Sequence, residues 1–198
     1  LGGVAFSLGL ILVLIGGAEL FTGNNLIVMA WAERKVTTTQ LLRNWGLVYV
    51  ANFVGALGTV ALFVLAGALD LNGGAVGQTA IRIAEAKIAL DQMSAFFRGV
   101  LCNTLVCLAV WLCFAAREVT GKVLAIVFPI SAFVALGFEH SVANMFLIPL
   151  GMIAAGTGID IGAIVANLVP VTLGNIVGGR GLVALPYWLV YLRHSDAA

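Results

Sequence analysis

The chain has 198 residues, 62% of them apolar and 10% charged, with a mean hydropathy of +1.10. Soluble domains carry about 25% charged residues, so a soluble globular domain is excluded. Ten basic against nine acidic side chains leave a net charge of +1, which excludes a nucleic-acid-binding surface. The 24 glycines show no Gly-X-Y period, which excludes collagen and suits closely packed membrane helices.

Apolar runs of about 20 residues are the unit of a membrane span, and the sequence predicts five. Leu1–Phe21 continues through Asn24–Ala32 after an interruption. Leu41–Leu69 is the second span and Ala95–Ala116 the third. Val123–Ile153 is the fourth, again interrupted, and Ile161–Tyr191 is the last, broken at Pro170 and flexed at Pro186. Within the longest polar connector, Ala80–Leu90 predicts a short helix lying on the membrane surface. The fold class expected is an all-α integral membrane bundle, a single transmembrane domain over residues 1–198.

The basic residues sort by side. Arg34, Lys35, Arg43, Arg117, Lys122 and Arg193 fall on one face if the spans alternate, and Arg82, Lys87 and Arg98 on the other. By the positive-inside rule the carboxyl end is cytoplasmic. Five crossings then leave Leu1 outside with no signal peptide to deliver it, so the expectation is that an upstream span is missing.

Two segments align without gaps, Asn44–Leu62 and Asn167–Leu185, with nine identities in nineteen positions. The identities include the pairs Asn44/Asn167, Asn52/Asn175, Gly55/Gly178 and Gly58/Gly181. Before each lies a second pair, Gly17-x-Glu19-x4-Asn24 and Gly137-x-Glu139-x4-Asn144, inside the two interrupted spans. An odd number of crossings separates the copies, so they have opposite orientations, with halves at approximately 1–69 and 123–191. Inverted repeats with discontinuous helices are a recurring transporter architecture, with the substrate site near the midplane.

The chemistry concentrates at the interruptions. Glu19 and Glu139 lie in segments too apolar for a free carboxylate. They are expected to brace the breaks by accepting backbone N–H bonds. A free imidazole titrates near physiological pH, so His140 is a candidate to donate a proton or a hydrogen bond to a small anion. Asn52 and Asn175, with Asn44 and Asn167, serve either as pore donors or as glue between helices. Thr22 offers a hydroxyl at the depth of His140, and Phe6, Leu10, Leu20 and Phe133 are candidates for apolar constrictions. Cys102, Cys107 and Cys113 lie in one apolar run without metal-ligand spacing and read as packing residues. No catalytic residue, metal site or cofactor is expected.

The string Gly137-Phe138-Glu139-His140-Ser141-Val142-Ala143-Asn144-Met145-Phe146 resembles the signature of the formate/nitrite transporters around their central histidine. Ala18-Glu19-Leu20-Phe21-Thr22 is similar to that family's first broken helix, and Pro170-Val171-Thr172-Leu173-Gly174-Asn175-Ile176-Val177-Gly178-Gly179 to its last span. The resemblance runs from Leu1 to His194 and is nearest to the formate channel branch. It implies an aquaporin-like protomer of six spans, the first absent here, assembled as a homopentamer in the inner membrane. It also implies His140 as the pore histidine and Thr22 as its partner. Phe6 and Phe133 would form the outer constriction, and Leu10 and Leu20 the inner one. Lys87 would sit in the outer vestibule, Asn103 and Asn175 would hydrogen-bond near the pore, and Glu19, Glu139 and Asn144 would give structural or electrostatic support. Two departures stand out: the connector Ala154–Asp160 is short, and Arg180 occupies a position usually small or apolar.

The function expected is passage of a small monovalent anion or its conjugate acid, formate foremost, with nitrite or hydrosulfide as the alternative. His140 either protonates the solute or joins Thr22 in hydrogen-bonding the anion, and the sequence does not choose between these. A neutral-solute channel is disfavoured by the lack of an Asn-Pro-Ala motif, and an intramembrane enzyme by the lack of converging acidic groups and His-Glu-x-x-His spacing. The partners expected are the solute, membrane lipid and further copies of the chain, with no nucleic acid.

Overall fold

Apolar sequence drives helix formation nearly throughout, and the two breaks inside spans fall at glycines with left-handed backbone, Gly17 (φ 79°) and Gly137 (φ 66°). The computed structural model describes residues 1–193, which are helical with no strand among them, and His194 lies outside the described residues. In chain order the helices are α1 (Gly2–Leu14), a single tight turn at Gly23–Leu26 running into α2 (Ile27–Ala32), α3 (Thr38–Leu65), α4 (Ala75–Ile88), α5 (Gln92–Ala115), α6 (Val119–Ala135), α7 (Ser141–Ala155) and α8 (Ile161–Leu192).

Three of them, α3, α5 and α8, are long and apolar enough to cross a membrane alone, at 28, 24 and 32 residues. The pieces α1, α6 and α7 have 13, 17 and 15 residues. At 1.5 Å per residue these reach only about 20–26 Å, less than the roughly 30 Å hydrocarbon core. Each broken span therefore needs both of its pieces. Helix starts are set by local chemistry: Thr37 and Gln40 form a capping box on α3, Asp91 caps α5, and Asp160 accepts from the Ala163 amide on α8.

Helix α5 runs between α6 and α8 at the centre of the bundle, with Cys102, Asn103, Val106, Cys107 and Ala109 fully buried. Its backbone touches α8 because Gly174 and Gly178 face the Phe96 and Val100 carbonyls, and a methyl group at either glycine would collide with them. Close approach of this kind holds helices together where lipid removes the hydrophobic drive. Outward faces stay apolar: Leu47, Val50, Val54 and Leu62 of α3 are each more than 60% exposed, as expected of a lipid-facing surface.

The short helix expected at Ala80–Leu90 is present with other bounds, Ala75–Ile88, and packs along α7. There Gly151 meets Ala80 and Ala84 so closely that no side chain fits between them. The break expected at Pro170 is absent. Proline frees the carbonyl four residues earlier, and that carbonyl, Ala166 O, accepts from Gln92 Nε2 at 3.1 Å, so α8 continues through it. Departure from α geometry comes later, in π turns at Val177–Ala184 and Trp188–Leu192 on either side of Pro186.

Candidate functional site

The two breaks are held by the same set of bonds. In the first, Asn24 Nδ2 donates to Glu19 Oε2 (2.5 Å) and to Asn44 Oδ1 (2.9 Å). In the second, Asn144 Nδ2 donates to Glu139 Oε2 (2.6 Å) and to Asn167 Oδ1 (2.7 Å). The freed backbone is taken up by the other asparagine pair. Asn52 binds Phe21 N (3.0 Å) and Glu19 O (3.1 Å), while Asn175 binds Ser141 N (2.9 Å) and Glu139 O (2.9 Å). The glutamates thus brace the breaks through asparagine amides, whereas direct backbone N–H bonds to the carboxylates were expected. Amides suit the backbone task better, since each both donates and accepts.

Between the breaks, Thr22 Oγ1 and His140 Nε2 lie 2.9 Å apart, both residues buried. His140 caps α7, its Nδ1 accepting from the Ala143 amide at 3.2 Å. With Nδ1 an acceptor, the proton of the neutral ring sits on Nε2 and points to Thr22. Phe133 stacks on the imidazole with centroids 6.0 Å apart. A cavity of about 170 Å³ opens beside them, lined by Phe6, Leu10, Leu20, Val106, Phe133 and His140 among others. Phe6 meets Phe133 edge to face at 5.5 Å.

On one side of Phe133 and His140 a vestibule of about 410 Å³ contains Lys87, Arg98 and Glu139. Lys87 Nζ binds both Glu139 oxygens, at 3.0 and 3.1 Å, so its charge is already compensated. Arg98 donates only to the Gly137 carbonyl, at 3.5 Å. On the far side of Leu20, a pocket of about 350 Å³ contains Val13, Glu19 and Asn24. Val13 lines this pocket and the central cavity, and Phe6, Phe133, His140 and Ala143 line the central cavity and the vestibule. The central cavity thus shares wall residues with the space on either side.

The profile of the formate/nitrite transporter family matches residues 1–189. The formate channel FocA of Escherichia coli K12 is 42% identical over 98% of this chain and 75% of its own length. The chain belongs to the formate/nitrite transporter family. FocA of Haemophilus influenzae is 44% identical over 90% of this chain and 69% of its own length. Among solved structures, a pentameric formate channel with formate bound superposes with a TM-score of 0.84 at 40% identity, covering 97% of this chain and 82% of that one. Membership makes the protein a multi-pass membrane transporter and not an enzyme.

Within that family fold, the structure places the sequence candidates unevenly. His140, Phe6, Leu10, Leu20 and Phe133 line the central cavity, and Lys87 lines the vestibule. Thr22, Asn103 and Asn175 do not line these spaces; Thr22 is fully buried and reaches the cavity only through its bond to His140. Asn103 Nδ2 is committed to Thr22 O (3.2 Å) and Asn175 O (2.7 Å), and Asn175 also donates to Gly99 O (2.9 Å). Their amides hold backbone close to the cavity, which for Asn175 is the joining role, one of the two that its sequence left open. Sequence reasoning missed Gly9 and Val13, although Phe6, Gly9, Leu10 and Val13 share one α1 face at helical spacing. It also passed over Val106, Ile130 and Val142, whose apolar surroundings give no distinguishing signal. The three cysteines are free and buried, consistent with packing. Arg180 lies over the Trp31 ring at 5.6 Å, the partner that sequence could not name.

Proposed function

We propose that the chain is one protomer of a homopentameric channel passing formate, with its own pore through the series of spaces between the two breaks. The observation that carries this is His140 on the wall of a small apolar cavity with Thr22 bonded behind it at 2.9 Å, since the imidazole is the polar group set where a one-carbon anion would otherwise face only hydrocarbon. Similarity to formate channels, one of them pentameric with formate bound, supports the solute and the assembly.

In this reading Arg98 recruits the anion into the vestibule, and Lys87 with Glu139 fixes the second break. Phe6 and Phe133 strip water at the outer constriction, and Leu10 and Leu20 do so at the inner one. Formate then replaces Thr22 as the acceptor of the His140 Nε2–H, and the Thr22 hydroxyl turns to donate to it. Glu19 and Asn24 support the inner mouth as Glu139 and Asn144 support the outer one, and Asn103 and Asn175 keep Thr22 and Ser141 in place. The halves 1–69 and 123–191 act as inverted repeats. The protein lies in the inner membrane with its carboxyl end in the cytoplasm, in keeping with the face that Arg34, Lys35, Arg117 and Lys122 share. Formate flux into liposomes, wild type against His140→Ala, tests the reading: it requires a loss of flux in the variant, and equal flux removes the histidine from the mechanism.

A further inference from the structure

Where α2 approaches the carboxyl-terminal part of α8, a groove that shares no lining residue with the central cavity is walled by two tryptophans and Arg34, and two further arginines lie against those tryptophans. The groove holds about 600 Å³ and is lined by Trp31, Arg34, Thr37, Thr38, Leu185 and Trp188 among others. Both indoles are tied at their N–H edge, Trp31 to Thr38 Oγ1 at 3.0 Å and Trp188 to the Glu33 carboxylate. Their faces are left for cations: Arg180 lies over Trp31 at 5.6 Å, and Arg193 over Trp188 at 6.0 Å.

The charge around the groove is unbalanced. Glu33 is occupied by an indole, and the one ion pair among the described residues is Lys87–Glu139. Arg34, Arg180 and Arg193 therefore have no carboxylate among the described residues. Arg34 is further set apart by a left-handed backbone (φ 57°), uncommon for a residue with a Cβ. Arg180 is exposed on a membrane-crossing helix, where an aromatic face compensates only part of its charge.

We propose that this groove binds the headgroup of an anionic phospholipid, with Arg34 and Arg180 holding the phosphate and Trp31 and Trp188 as its walls. Guanidinium forks match phosphate oxygens in bidentate geometry. Tryptophan rings sit at headgroup level, and basic pockets between membrane helices take anionic headgroups. Leu185 starts an apolar floor for the acyl chain. The site is independent of which solute the pore carries.

Native mass spectrometry of the purified full chain in neutral detergent tests this, titrating phosphatidylglycerol against phosphatidylcholine of identical chains. The wild type is expected to retain phosphatidylglycerol about tenfold better, and Arg34→Gln/Arg180→Gln to lose that preference. A charge-matched control, Arg117→Gln/Lys122→Gln, on the connector after α5 and the first turn of α6, is expected to keep it. The single variants Arg34→Gln and Arg180→Gln give the same reading should the double variant fail to purify. Equal retention of the two lipids by the wild type, or an undiminished preference in the groove variants, overturns the proposal. Displacement of the bound lipid by inorganic phosphate alone would also overturn it, identifying a free-anion site.

Discussion

Thr22 and His140, 118 residues apart in sequence, meet at 2.9 Å and join the two broken helices across one cavity. Each reaches that position on its own break, and the His140 tautomer is set by the Ala143 amide behind it.

Replacing Thr22 by valine keeps the shape and removes the hydroxyl. Formate flux in liposomes should fall roughly tenfold, the worth of one lost hydrogen bond at the barrier, while Thr22→Ser should stay near wild type. Equal flux in Thr22→Val and wild type would rule the hydroxyl out.

The paired asparagines differ in burial, and that orders their importance for stability. Asn175→Leu orphans Ser141 N and Glu139 O at a fully buried position, takes a second bond from Gly99 O, and should cost about 3–5 kcal/mol. Asn52→Leu loses two bonds at a half-buried site and should cost about 1–2 kcal/mol. Denaturant unfolding in detergent measures both, and the reverse order would contradict the bonding scheme.

Lys87→Met leaves the Glu139 carboxylate with Asn144 as its remaining side-chain partner in a buried site, a loss of about 3–5 kcal/mol. Adding Glu139→Gln to it should restore most of that stability. A double-mutant cycle shows the recovery, and additive losses would mean the two groups act independently.

Arg98, and not the neutralised Lys87, should draw anions into the vestibule. Arg98→Gln is expected to lower flux several-fold at low formate and low salt. The difference should shrink as ionic strength rises and the Debye length contracts to about 10 Å or less. A deficit insensitive to salt would point to the Gly137 contact instead.

Asp91 caps α5 outside the membrane, and hydrogen bonds from the Ser94 side chain and amide hold its carboxyl below the usual carboxylate range. Its stabilising effect is therefore present above the ordinary carboxylate pKa near 3.8 and is lost as pH falls through the lower folded value. Hydrogen exchange at the start of α5 should quicken on acidification through that window. Asp91→Asn keeps the acceptor and should flatten the response.

Much of the site was legible because polar residues are conspicuous in apolar sequence. Glu19, Glu139 and the pairs Asn24/Asn144, Asn44/Asn167 and Asn52/Asn175 announced themselves by spacing alone, and all of them bond in matching ways. What stayed hidden depends on distant partners. Nothing near Pro170 says that Gln92 will satisfy Ala166, and nothing near Arg180 names Trp31. An alanine-rich helix such as α4 has the same amphipathic period whether it meets lipid headgroups or α7. Arg98 read only as a topological charge because its place beside Gly137 follows from the packing of α5 against the second break.

The bond between Thr22 and His140 has one more consequence. The His140 Nε2–H is already spent on Thr22, and the cavity that His140 lines is otherwise mainly hydrocarbon. A solute in the proposed pore therefore reaches the histidine only by exchanging for that internal bond, which makes the bond itself a part of the barrier to passage.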